Sequence, residues 1–110
     1  MELNAYQNYA KRTMQNGLTV AQTIQHALHG MSSEIGELHG IYQKFYQGHG
    51  IDSTHIKKEL GDLLWFIAEY CTANRWDMDE IAQMNIDKLL ARYPAGFDAK
   101  NSLLRKPGDI

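Results

Sequence analysis

A chain of 110 residues with a net charge of −2 has room for one core, and it is short enough that long helices gain from association between copies. It has no basic stripe to attract a nucleic-acid polymer or an anionic lipid surface. No apolar run approaches the roughly 20 residues that cross a bilayer, and the opening MELNAYQNYAKR lacks the basic and apolar regions expected of a secretory leader. Cys71 stands alone, so no intrachain disulfide can form; set in IAEYCTA, it reads as a small buried hydrophobe in a reducing, cytoplasmic compartment.

In chain order, residues 2–15 predict a short first helix, ended by the Asn16-Gly17 pair. From Ile24 the apolar positions Ile24, Leu28, Met31, Ile35, Leu38, Tyr42 and Phe45 advance by fours and threes, the stripe of a long helix. The segment QGHGID breaks it, and Asp52 or Ser53 can cap a second long helix striped by Ile56, Leu60, Leu63, Ile67 and Tyr70. A third starts at Asp77, where Glu80 completes a capping-box pattern, and ends at Tyr93 because Pro94 disfavours helical geometry before it. The expectation is an all-α bundle of one short and three longer helices over residues 1–97, followed by an irregular tail over 98–110. No strand and no internal repeat is expected.

Two acidic pairs share one spacing. Glu34 and Glu37 lie on a line beside the first long stripe, together with Gly30, Ile41 and Lys44, and Glu59 and Asp62 lie on the matching line of the next helix with His55, Phe66 and Glu69. If residues 48–52 turn an antiparallel hairpin, position 37 faces 62 or 63 and four carboxylates converge. A solvated acidic face is the ordinary explanation of any one pair. Against it, Asp62 lies inside the apolar run LGDLLWFIA, where an unpaired carboxylate costs several kcal/mol. Gly36, Gly40 and Gly61 also sit inside helices, at about 1 kcal/mol each relative to alanine, which suggests close backbone approach. Clustered oxygen ligands suit Mg²⁺, or Mn²⁺ in its place, better than zinc. On the third long helix Asn85, Lys88 and Arg92 share a line that suits phosphate oxygens.

With these residues in place, the chain resembles the MazG-like nucleotide pyrophosphohydrolases, an all-α family. The family pattern of E-x-x-E followed by E-x-x-D is matched by EIGE at 34–37 and ELGD at 59–62. The flanks GMSSEIGEL, ELGDLLWFIA and NIDKLLARYPAGF resemble the family's as well, as does the Tyr6-Gln7 opening. The resemblance implies hydrolysis of nucleoside triphosphates to monophosphate and pyrophosphate with Mg²⁺, in a homo-oligomer that is a dimer or a tetramer, as part of nucleotide house-cleaning. It implies Glu34, Glu37, Glu59 and Asp62 as metal ligands, with Glu37 taken first as the general base, and Lys44, Asn85, Lys88 and Arg92 as phosphate holders. Ser32, Ser33, His39 and Gly40 depart from the family's usual residues and bear on substrate preference.

Gln7 and Phe66 are candidate base-binding residues, although an aromatic residue in an apolar helix is more often core. The five histidines lie on different faces or in a turn and read as surface residues. Two other readings stay open. A ferritin-like carboxylate-bridged di-metal protein would want Glu-x-x-His, where this chain has Glu37 and Asp62 at the third position. A non-catalytic helical interaction module would explain the stripes but not facing acidic pairs.

Overall fold

The computed structural model describes all 110 residues, in five helices: α1 Leu3–Lys11, α2 Val20–Tyr46, α3 Ser53–Ala73, α4 Met78–Arg92 and α5 Ala99–Leu103. The architecture is all-α, as the periodicities predict. No helix is long and apolar enough to cross a membrane.

Local chemistry sets each boundary. α1 stops at Lys11 instead of running to 15, because the Thr13 hydroxyl donates to Ala10 O at 3.0 Å and accepts from Trp65 Nε1 at 2.8 Å, fixing a turn against α3. α2 starts four residues before Ile24. Its Thr19 hydroxyl accepts from Gln22 N and the Gln22 amide accepts from Thr19 N, a reciprocal capping box. At the hairpin turn Gly48 takes φ +99°, a conformation that only glycine adopts cheaply. Asp52 then caps α3 by accepting from Thr54 N and His55 N.

α4 begins differently from the expected box. Asp77 makes no side-chain cap; the first N–H groups of α4 are instead satisfied from α1, Met78 N by Gln7 Oε1 at 2.9 Å and Asp79 N by Asn4 Oδ1 at 3.0 Å. Gln7 is buried, and its amide nitrogen donates to Trp76 O and Thr72 Oγ1. The tail is not wholly irregular: Asp98 caps α5 at Lys100 N, and Arg92 reaches forward to Asp109.

α2 and α3 form an antiparallel hairpin, α1 lies against α3, and α4 packs on α1. The buried centre is Ala10, Ala68, Cys71 and Met78, surrounded by Leu3, Tyr6, Leu64, Trp65 and Ile67. This is a small core for the chain. Leu28, Ile35, Tyr42 and Phe45 of the α2 stripe are exposed, as are Leu60 of α3 and Ile81, Met84, Ile86, Leu89 and Leu90 of α4. The radius of gyration is 17.4 Å, where a compact domain of this length has about 13 Å. Likewise the accessible surface is 8400 Å², where a compact monomer of this mass exposes about 6200 Å².

Candidate metal centre

The seam between α2 and α3 is built in three steps along their shared face. At one end His26 Nδ1 donates to Glu69 Oε1 at 2.6 Å, with Glu69 only 1% exposed. In the middle the Phe66 ring lies across Gly30, so closely that a β-carbon there would overlap it. One turn further, Glu34 meets Glu59 and Asp62, with one carboxylate oxygen from each lying within 4.8 Å of the others. The ring seated on Gly30 sets this register, so Asp62 faces Glu34 and not Glu37. The close approach is thus of a side-chain ring to Gly30, not of backbones at the expected glycines; at Gly36, Gly40 and Gly61 nothing lies within 4 Å of an added β-carbon.

Three of the four acids are therefore brought together, and Glu37 stands exposed beside them. Asp62 is solvent-exposed, contrary to the burial expected from its apolar neighbours in sequence, because alternate faces of α3 carry those neighbours elsewhere. The desolvated acid is Glu34, whose Oε2 is buried with no hydrogen-bond partner. Its pKa rises from 4.5 to about 7, first because its protonated form hydrogen-bonds Glu59, then through burial and the charges of Glu59, Asp62 and Glu37. No lysine or arginine pairs with the cluster; the only ion-pair partner there is His55, whose Nε2 lies 3.1 Å from Glu59 Oε1. An anionic group of oxygens that includes a buried orphan suits a hard divalent cation.

The other expected site residues lie elsewhere. Lys44 is in the last turn of α2, about 15 Å along the helix axis from Glu34. Asn85 and Lys88 are exposed on α4, which packs on α1. Arg92 is taken by Asp109, with Nε donating to Oδ2 at 2.9 Å and Nη2 to Oδ1 at 2.6 Å. Gln7 has its amide spent on the start of α4, which leaves it nothing for a base. Phe66 contacts His26 and Trp65 edge-on, at ring-centroid distances of 5.8 and 5.2 Å, and works as a seam spacer.

Sequence reasoning missed three neighbours. His55 was on the acidic line, and its i, i+4 spacing to Glu59 was a usable signal. His26 is exposed, as its pattern predicts, and stands two turns before Glu34 on the same line, yet nothing in sequence shows that Glu69 lies across from it. Tyr6 comes from α1, and its pKa is raised by burial and then by the charge of Asp62; only the tertiary packing brings it there.

A family model, the MazG nucleotide pyrophosphohydrolase domain, matches residues 22–97. The chain belongs to the MazG family. The match spans both acidic motifs, α4 and the Tyr93-Pro94 end, and it stops before α5. Comparisons with curated proteins and with solved structures give no significant match. This MazG domain is a nucleotide pyrophosphohydrolase, an enzyme that hydrolyses phosphoric anhydrides.

Proposed function

We propose that this MazG domain is a Mg²⁺-dependent nucleoside triphosphate pyrophosphohydrolase, cleaving (d)NTP between the α and β phosphates to give (d)NMP and pyrophosphate. A house-cleaning role in the cytoplasmic nucleotide pool fits that reaction. The reading rests most on Glu34 Oε2, buried without a partner inside a carboxylate cluster that no lysine or arginine neutralises. Glu34, Glu59 and Asp62 would hold the metal, with Glu37 at the edge. A bound Mg²⁺, or Mn²⁺, neutralises phosphate charge and makes its water more acidic.

The chain's own groups supply the rest. Glu37 is exposed and outside the three-oxygen cluster, so its carboxylate is free to take the proton of the attacking water. Water oxygen bonds to the α phosphorus, the bond from that phosphorus to the bridging oxygen breaks, and pyrophosphate leaves with the electron pair. Glu59 is oriented by His55, and Glu34 by the Phe66–Gly30 contact one turn away.

A homo-oligomer, dimer or tetramer, is part of this reading. The exposed apolar faces of α2, α3 and α4 need cover, and α4 does not bring Asn85 and Lys88 to the acids of its own chain. A second copy can do both, delivering α4 to the cluster of its neighbour.

The test is turnover of a nucleotide panel with Mg²⁺, scored for pyrophosphate against orthophosphate. Pyrophosphate release that stops with EDTA, with Ca²⁺ in place of Mg²⁺ and in Glu59→Gln supports the reading. Orthophosphate as first product, or turnover that persists in EDTA, refutes it.

A further inference from the structure

Where α1 meets the connection from α3 to α4, the chain forms a half-open polar cavity of about 440 Å³, a size that suits a small molecule. It lies away from the carboxylate cluster: Thr72, at its base, is about 15 Å along the α3 axis from Asp62. Gln7 and Thr72 are already hydrogen-bonded to each other, and Gln7 also to Trp76 O and Met78 N. The free groups are Lys11 and Asn8 from α1 with Arg75 and Asp77 from the connection. Lys11, Arg75 and Asp77 have no ion-pair partner in the chain, and Asp77, at the N-cap of α4, caps nothing. Arg75 has φ +58°, the left-handed region, and no other residue besides glycine does so. It follows the C-cap of α3 in a turn closed by Trp76 N on Cys71 O at 2.9 Å and Arg75 N on Thr72 O at 3.1 Å, where glycine ordinarily stands at lower cost. A strained backbone of this kind marks a side chain that is used.

We propose that this cavity binds a free acidic amino acid, glutamate or aspartate, with its carboxylates on Arg75 and Lys11 and its ammonium on Asp77. Two cations against one carboxylate leave a single positive charge, which matches the single net negative charge of such a ligand. The guanidinium fork takes one carboxylate through two parallel N–H donors, and the Lys11 ammonium takes the other as a point charge. The Asn8 amide can donate or accept beside them. A monocarboxylate leaves one cation unpaired, and a polyphosphate sets like charge against Asp77, so both are disfavoured. The bound ligand bridges α1 and the connection beside the Gln7 bond that holds Met78, and thereby clamps α4 on α1. Lys11 and Asn8 precede residue 22, where the family match begins, so half of the site comes from outside the matched residues.

The experiment titrates the full chain in EDTA with L-glutamate, L-aspartate and glutarate, which is glutamate without its ammonium, and follows the two indole N–H resonances and the melting temperature. Expected is saturable binding of glutamate or aspartate that moves Trp76, which lines the cavity, and leaves Trp65, whose Nε1 donates to Thr13, in place. The melting temperature rises as ligand is added. Glutarate binds the parent about tenfold more weakly, and Asp77→Asn removes that preference. Arg75→Gly relieves the left-handed backbone, so the fold is at least as stable as the parent's while binding falls about tenfold, and Lys11→Gln loses a similar factor. Glu59→Gln binds as the parent does, which separates this site from failure of the hydrolase reading, since that reading needs the metal cluster. The proposal is overturned if neither amino acid binds saturably, if glutarate binds the parent as tightly as glutamate does, or if Arg75→Gly or Lys11→Gln binds as the parent does.

Discussion

Glu34 and Glu69 are both glutamates of the α2–α3 seam, and their surroundings give them opposite roles. Glu34 faces other acids and its folded pKa is raised to about 7. An acid so raised holds a proton in the folded state that the unfolded chain has already lost. The cost to metal-free stability is therefore absent below about 4.5, grows as pH rises toward about 7, and is fully present above it. Melting the EDTA-treated protein across pH 4 to 8 should show Glu34→Gln gaining on the parent through that window, since the glutamine amide donates to Glu59 at every pH. A constant difference between the two proteins would contradict the shared-proton geometry. Metal must displace the same proton, so Mg²⁺ binding should weaken as pH falls below about 7.

Glu69, by contrast, looks from sequence like a neutral control, on the acidic line but outside the motif. Its burial against His26 reverses that expectation. Glu69→Gln gives up a charge-assisted hydrogen bond and should destabilise the fold by about 1–3 kcal/mol in denaturant titrations. Unchanged stability would show the pair to be ornamental.

At the level of elements, most of the fold was legible because helical periodicity is a local property. Four of the five helices follow from stripes, breakers and one proline; the motif spacing placed both acidic pairs on facing lines. What sequence could not supply is register and who caps whom. Asp77 carries a good capping pattern, yet Gln7 and Asn4 of α1 take that task across more than 70 residues of chain. Gly36, Gly40 and Gly61 look like close-approach glycines, yet the ring that needs space sits on Gly30. The two kinds of glycine should part on substitution. Gly61→Ala meets nothing within 4 Å and should add about 1 kcal/mol through helix propensity. Gly30→Ala should lose about 1–3 kcal/mol net, because the β-carbon overlaps Phe66 and pushes α2 from α3. It should also weaken metal binding, since Glu34 and Glu59, the proposed ligands, come from opposite sides of that seam, and Phe66→Leu should recover part of both. If both alanine variants behave alike, Phe66 does not set the register.

For the whole molecule the apolar stripes are helical, as their spacing predicts, but only part of each is core, since one chain leaves much of each stripe facing solvent. The surface excess over a compact monomer is on the order of 2000 Å², comparable to what permanent interfaces bury. Sedimentation should therefore find a dimer or tetramer at micromolar concentration, and a monomer there would remove the cover these faces need. A sharper outcome follows from where α4 lies. Glu59→Gln disables the carboxylate cluster, and Asn85→Ala/Lys88→Ala disables the α4 phosphate line; each variant alone should lose pyrophosphate release by 100-fold or more, as expected when a group that binds or positions the reacting phosphates is removed, on the order of 3 kcal/mol. When α4 serves the cluster of a second copy, a mixed dimer pairs one intact cluster with one intact α4. Unfolding and refolding the two variants together should then restore up to about a quarter of parental activity, from half of the molecules each carrying one complete site of two. Should the co-refolded mixture stay inactive while both variants fold and assemble as the parent does, cluster and α4 must work within one chain, and α4 would have to swing away from α1 to reach the acids.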